Sequence, residues 1–219
     1  MDLDFTPVLD SGWFLLGGLG LTLALSVLTI ACSLLLGGAL GLARCYGPGW
    51  LRWPIVFYID SMRAVPVLVV LVWTYFALPI VTGVVLPPFW AALVALSAHI
   101  SAYVAEIVRA GVTSIRPGQT RAAFALGMSR WQTMKEIVLP QAIRRVLPVL
   151  ASTWVSLFKD TSLVSVISVG ELAYTSMRIR AQTFRVLEML TAMAAIYWLL
   201  GYPQAKLVDW INRRYGVKE

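Results

Sequence analysis

This chain has almost nothing with which to carry out covalent chemistry. It holds 1 His and 2 Cys in 219 residues, so neither a His/Cys metal cluster nor a Ser/His/Asp nucleophile set can be assembled from its motifs. Cys32 and Cys45 lack CxxC spacing and are too few for a disulfide framework, which leaves both as packing residues. No GxxxxGK[ST] phosphate loop occurs, so any nucleotide hydrolysis must be borrowed from another chain. The sequence therefore reads as non-catalytic, with no metal and no cofactor of its own. A Ser/Gly/Pro-rich linker is also missing, and 1–219 is expected to form one domain. The first residues carry Asp2, Asp4 and Asp10 instead of basic residues, without a small-residue cleavage site, so no cleavable signal peptide is expected.

What is abundant is apolar surface. Hydrophobic residues make up 59% of the chain and charged ones 13%, with a mean hydropathy of +0.77, a balance that places it in the membrane. Charge-free runs locate the spans. The first covers 11–43, with Trp13 and Phe14 at an interfacial start, and 64–105 is long enough for two more around a turn at 78–88, LPIVTGVVLPP. A fourth is read from 146 to 170, as a helix running through Lys159 and Asp160. The last, 188–210, has Tyr197, Trp198, Tyr202 and Trp210 as interfacial aromatics, Lys206 placed to snorkel and Pro203 placed to kink its end. The expected fold is an all-α membrane protein of about five transmembrane helices.

Basic residues near span ends mark the cytosol. With the N-terminus outside and the C-terminus in the cytosol, every Lys and Arg except Lys159, Arg178, Arg180 and Arg185 falls on the cytosolic side. The net charge of +7 then reports topology and needs no nucleic acid to explain it. Gly37 and Gly41 form a GxxxG pair for close helix approach, within the chain or between subunits, or simply reflect the glycine content of membrane helices.

Between apolar segments lies a polar loop, 118–142, GQTRAAFALGMSRWQTMKEIVLPQA. Pro117 and Gly118 break the chain before it. Thr120 is placed to cap a first helix, RAAFAL, and Gly127 to stop it in a left-handed conformation. Ser129 and Gln132 form a capping box for a second helix, on which Trp131, Met134 and Val138 share a face until Pro140 ends it. Two short helices around a glycine turn also describe a helix-turn-helix carrying Arg121, Arg130 and Lys135. A unit tied to membrane spans at both ends cannot slide a helix into a major groove, so a membrane-tethered DNA regulator is the weaker alternative.

The loop resembles the EAA loop of ABC importer permeases, in which EAA, three residues, G, nine residues and I-x-LP appear here as Arg121, Ala122, Ala123, then Gly127, then Ile137, Leu139 and Pro140. RAVP at 63–66, AYVAEIVRAG at 102–111, LPQAIRRVLP at 139–148 and KDTSLVSVI at 159–167 narrow the resemblance to the histidine, glutamate, glutamine, arginine and opine class. The wording of the loop is most similar to glutamate/aspartate importer permeases. The resemblance implies a type I ABC importer permease fold in a bacterial inner membrane. It also implies an ABC ATPase dimer holding ATP and Mg, a second permease subunit of the same or a related chain, and a periplasmic amino-acid-binding protein. Coupling to the ATPase would fall to Gly118, Gln119, Arg121, Ala122, Ala123, Leu126, Gly127, Ile137, Leu139 and Pro140. Arg121 stands where the family has glutamate, so a carboxylate role there does not transfer, and a paired second permease is one source of the missing acid.

Ionisable residues at membrane depth mark a substrate path by default. Glu106, Lys159, Asp160 and His99 are the candidates. Against this, Glu106 is placed for an i, i+3 pair with Arg109, Lys159 and Asp160 for a self-compensating pair, and His99 for a hydrogen-bonded packing role. A self-contained secondary transporter is the other alternative. It predicts transport in vesicles without ATP.

Overall fold

The long N-terminal apolar run forms one helix, α2 (Gly12–Tyr46), after a short turn of helix, α1 (Thr6–Asp10). The computed structural model describes residues 3–215, and every regular element among them is helical. Helix α2 is built inside out. Its buried stripe includes Gly18, Thr22, Ser26, Thr29, Ser33, Gly37 and Gly41, while Leu16, Val27, Leu28 and Leu35 are exposed. Leucine gains little by leaving hydrocarbon for another helix, whereas small residues let backbones approach and hydroxyls find carbonyls. The Ser26 hydroxyl donates to the Thr22 carbonyl at 2.7 Å and that of Ser33 crosses to the Ser97 carbonyl at 3.3 Å.

That stripe packs on α6 (Pro88–Thr113). A Cβ at Gly41 would lie 2.7 Å from the Ala105 carbonyl oxygen, and one at Gly37 would run into the Ser101 carbonyl and Val104. The glycine pair therefore serves a seam within the chain. Helix α6 is the centre of the fold: 61% of its most apolar stretch is buried, against 28% for α2 and 11% for α11 (Val186–Tyr215). Ala91, Ala92, Ala95, Ala102 and Ala105 supply much of its buried face.

Between α2 and α6 the chain is bent. Helix α3 (Gly49–Ala64) meets the segment Val67–Thr82 at 107°. Val65 precedes Pro66 and is held extended at φ −95°, ψ 133°, the conformation a following proline enforces. The segment beyond is α4 (Val67–Val72), a π turn (Trp73–Ala77) and α5 (Leu78–Thr82). The expected turn at 78–88 is thus helical through Thr82, and only 83–87 is loop, entered at Gly83 with φ 73°.

Pro79 does not stop its helix, and Pro140 does not either. After α7 (Pro117–Ala125) and α8 (Arg130–Gln132), a π turn (Thr133–Val138) leads without interruption into α9 (Leu139–Asp160). Proline lacks an N–H and crowds the carbonyl four residues back; a wider π turn just before it relieves both problems. The expectation that Pro140 ends the loop helix is corrected accordingly.

A second correction concerns Lys159 and Asp160. The α-helix stops at this pair and tightens into a 3-10 helix (Thr161–Ile167) instead of running through it. Hydroxyls of Thr161, Ser162 and Ser165 donate to carbonyls three residues back, at 2.7, 2.8 and 2.7 Å, and so compete with the i to i+4 ladder.

Helices α2, α6 and α11 are long and apolar enough to cross a membrane; the 49–82 pair meets the same test only when its two limbs are taken together, and these are bent by 107°. Helix α9, with 22 residues, has the length to cross, about 33 Å, but carries Arg144, Arg145, Lys159 and Asp160. Helix α10 (Leu172–Thr183) then leads into α11, which passes Pro203 unbroken to Tyr215. At the N-terminal end Arg185 bridges Asp4 (3.4 Å) and Glu188 (3.5 Å). Asp2 and Lys218 lie outside the described residues.

Candidate functional site

Local chemistry shapes the polar loop. Helix α7 starts at Pro117, not at Thr120, because proline at the first helical position sacrifices no hydrogen bond; Thr120 lies inside the helix as a consequence. Gly127 closes it at φ 78°. Its N–H donates to the Phe124 carbonyl at 3.0 Å and that of Met128 to the Ala123 carbonyl at 3.1 Å, a Schellman pair. A Cβ at Gly127 would meet open space, so the positive φ alone selects glycine. The Ser129 box forms as expected: the Gln132 N–H donates to the Ser129 hydroxyl (3.2 Å) and the Ser129 N–H to the Gln132 side-chain oxygen (2.8 Å).

The loop has an anchored side and a presented side. Ala123 is buried, as are Thr133 and Val138 of the π turn; Val138 joins Val112, Ile115 and Ala142 in one apolar cluster with Met134. Gly118, Gln119, Arg121 and Ala122 are exposed, Leu126 at 83%. Trp131 is 73% exposed and lines one cavity with Met134 and Val138, so the three face the same way as read, although the helix widens to a π turn after Gln132. Ile137 and Leu139 are half-buried and Pro140 is exposed. Phe124, Leu126 and Trp131 thus project apolar side chains from a polar loop, beside Arg121 and Arg130.

The candidate path residues do not meet. Among the described residues no hydrogen bond or ion pair links Glu106, His99, Lys159 and Asp160 to one another. Glu106 accepts from Arg109 at 2.5 Å, the i, i+3 pair read from the sequence, and also from Arg44 at 2.7 Å, with Arg63 4.0 Å away. The guanidinium of Arg63 in turn lies 5.7 Å over the Tyr103 ring. His99 is buried, but its Nδ1 has no hydrogen-bond partner, which corrects the expected bonded role; its ring packs 5.2 Å from Tyr103. Lys159 is exposed and lines a cavity of about 480 Å³ with Ser162, Tyr197 and Trp198, while Asp160 is half-buried. No salt bridge joins the two among the described residues, so the self-compensating pair is not formed by contact.

Sequence reasoning missed Glu171. It is fully buried and caps α10, accepting from the Tyr174 N–H (2.7 Å), the Ala173 N–H (2.9 Å), the Tyr197 hydroxyl (3.0 Å) and the Thr22 hydroxyl (3.4 Å). Its signal was an isolated acid at the head of a helix inside a mildly apolar stretch.

Residues 33–217 match the family described as binding-protein-dependent transport system inner membrane component. This chain belongs to that family. The permease is 37% identical over 219 residues to the glutamine transport system permease protein GlnP of Escherichia coli K12, covering 99% of this chain and 100% of that one. It is 34% identical to the glutamate/aspartate import permease protein GltK of Escherichia coli O6:H1, with 97% and 98% covered, and 36% identical to the arginine transport system permease protein ArtQ of Bacillus subtilis, with 91% of each covered. The crystal structure of an amino acid ABC transporter with histidines superposes with a TM-score of 0.90 at 33% identity, covering 98% of this chain and 100% of that one. The methionine ABC transporter MetNI, at 19% identity and a TM-score of 0.79 over 95% and 99%, shares the fold. The permease therefore has the type I ABC importer permease fold, and its relatives are permease subunits of amino-acid ABC importers.

Proposed function

We propose that this chain forms, with a second permease subunit, the translocation path of an importer for polar amino acids, and that 118–142 is its plug into a separate ATPase. ATP and Mg belong to that ATPase, and a binding protein outside the membrane delivers the substrate. Glutamate and aspartate are the first substrates to test, followed by the glutamine and arginine named for the relatives. The chain acts as a single unit over 1–219, with its N-terminus outside and its C-terminus in the cytosol.

The observation that carries the reading is the loop's two-sidedness: Ala123 of α7 is buried while Leu126, the residue that caps the same short helix, is 83% exposed. A helix anchored on one side and apolar on the other suits a groove on a soluble motor. ATP-driven closure of two such motors would draw the paired plugs together and reorient the spans. Arg121, exposed at the head of the plug, would repel a basic groove, which favours pairing with a related permease that supplies the acid. His99, Glu106, Lys159 and Asp160 remain the residues proposed for the path, with Lys159 and its cavity first among them.

The test is ATPase activity of the assembled complex stimulated by loaded binding protein. Ala123→Asp places a charge in the anchored face and Gly127→Leu forces a side chain into positive φ. Both are expected to lower stimulation and uptake at least tenfold while the chain still inserts and pairs. Unchanged stimulation in both variants removes the assignment. Transport in ATP-free vesicles by this chain alone would instead favour a secondary transporter.

A further inference from the structure

Where the cytosol-assigned ends of α2, α3 and α6 converge lies a cavity of about 310 Å³ lined by Arg44, Arg52, Arg109, Tyr46 and Thr113, among others. Its charge is unbalanced. Among the described residues Glu106 is the only carboxylate bonded to these arginines, and it takes up Arg44 and part of Arg109. Arg52 forms no salt bridge among the described residues, and the buried Nε of Arg44 has no hydrogen-bond partner. Asp60, the one acid of α3, lies toward the far end of that helix. Guanidiniums in such a place match a phosphate.

The surroundings select the kind of phosphate. Helix α3 lies across the segment that follows it, at 107°, so it suits the membrane interface and not a crossing. Trp50, Trp53 and Phe57, at i, i+3 and i+7, are 77%, 81% and 74% exposed along one stripe, and Ile55 and Ile59 are buried on the opposite side. Indole rings at the level of the headgroups hold such a helix in place. Tyr46, at the cavity, is 58% exposed and only a tight Gly47–Pro48 connection from α3. A basic cavity adjoining an aromatic interfacial stripe has the components of a headgroup site and the apolar surface for acyl chains.

We infer that the cavity of Arg44, Arg52 and Arg109 binds the phosphate of an anionic phospholipid, whose chains lie beside the Trp50, Trp53 and Phe57 stripe of α3. The cavity borders the coupling loop through Tyr46, Val112 and Ile115 but is lined by no residue of 118–142, and the inference does not depend on the transport reading.

The test uses the full chain in neutral detergent, read by native mass spectrometry while phosphatidylglycerol, phosphatidylcholine or inorganic phosphate is added. Phosphatidylglycerol is expected to be retained at least fivefold more tightly than phosphatidylcholine. Arg52→Gln, at an exposed position outside the Glu106 cluster, should weaken phosphatidylglycerol about fivefold and leave phosphatidylcholine unchanged. Arg214→Gln, at the far end of α11, should alter neither. Equal retention of the two lipids, or an unaltered Arg52→Gln, overturns the inference. Displacement of phosphatidylglycerol by inorganic phosphate at equal concentration assigns the cavity to the free ion and overturns the lipid part.

Discussion

Glu106 and Glu171 are two carboxylates in largely apolar surroundings, and they are held by opposite means. Glu171 is wholly buried and has no cation beside it among the described residues; four neutral donors, two of them N–H groups in the first turn of α10, converge on its carboxyl group. The side chain of Glu106 is 22% exposed and is met by guanidiniums of Arg44, Arg109 and, at 4.0 Å, Arg63. Hydrogen bonds from fixed dipoles define a position in space, because the donors come from three different elements, α2, α10 and α11, and cannot all follow if the carboxylate moves. Around Glu106 the fork of Arg109 sets the local geometry, while the surplus of arginines leaves positive charge to spare. The first carboxylate therefore pins α2, α10 and α11 together, and the second collects the basic ends of α2, α3 and α6.

The comparison breaks most visibly at Glu171. Glu171→Ala leaves two buried N–H groups and the Tyr197 hydroxyl without an acceptor, and a loss of roughly 3 kcal/mol in stability is expected. Glu171→Gln keeps the shape and one acceptor and should lose about half as much, with Tyr197→Phe smaller again at about 1 kcal/mol. Thermal unfolding in a fixed detergent orders the three. An alanine variant as stable as the parent would show that Glu171 is not a structural pin.

Of the two carboxylate networks only the Glu106–Arg109 pair was legible in the sequence, although much else was. The membrane class, the first and last apolar runs, the Gly127 turn and the Ser129–Gln132 box depend on composition or on chemistry within a few residues, and each appears as read. Thr120 lost the helix start to Pro117, because two signals of similar strength compete over four positions. Pro140 failed as a stop because a π turn absorbs its missing N–H, which no propensity records. Glu171 finds Thr22 from 149 residues away and Tyr197 from 26 away, and Glu106 finds Arg44 from 62 away. A periodic pattern marks which residues face inward and is silent about which of them touch. The exposed side of the loop was readable from the family motif, whereas the anchored side needed the packing of Ala123 and Val138.

At Glu106 the expected loss is smaller and has a different signature. Glu106→Gln removes the charge that Arg44 and Arg109 surround and should cost about 1 kcal/mol, since the group is partly solvated and the cations can turn to water. The diagnostic is ionic strength. Added salt should narrow the gap between the Glu106→Gln variant and the parent, because screening relieves the unneutralised arginines, while the Glu171→Gln gap stays constant. Equal salt dependence at both positions would collapse the distinction between charge neutralisation and hydrogen-bond pinning.

The smallest effect is expected at Asp4, a third carboxylate and, with its side chain 42% exposed, the most solvated of the series. Hydrogen bonds from Thr6, and then the nearby Arg185, hold its carboxyl below the ordinary 3.8. A lowered value in the fold means that its contribution is complete above that ordinary value and disappears as pH falls through the lower folded one. The link from the N-terminal segment to α11 should therefore be insensitive to pH from 5 to 8 and loosen only in stronger acid. Asp4→Asn should reproduce the loosened state at neutral pH with thermal stability almost unchanged, because an exposed pair contributes little. Protease accessibility of the first ten residues is the measurement. Loosening already at pH 6 would assign the link to a group other than Asp4, and would leave the series of three carboxylates without its solvated end.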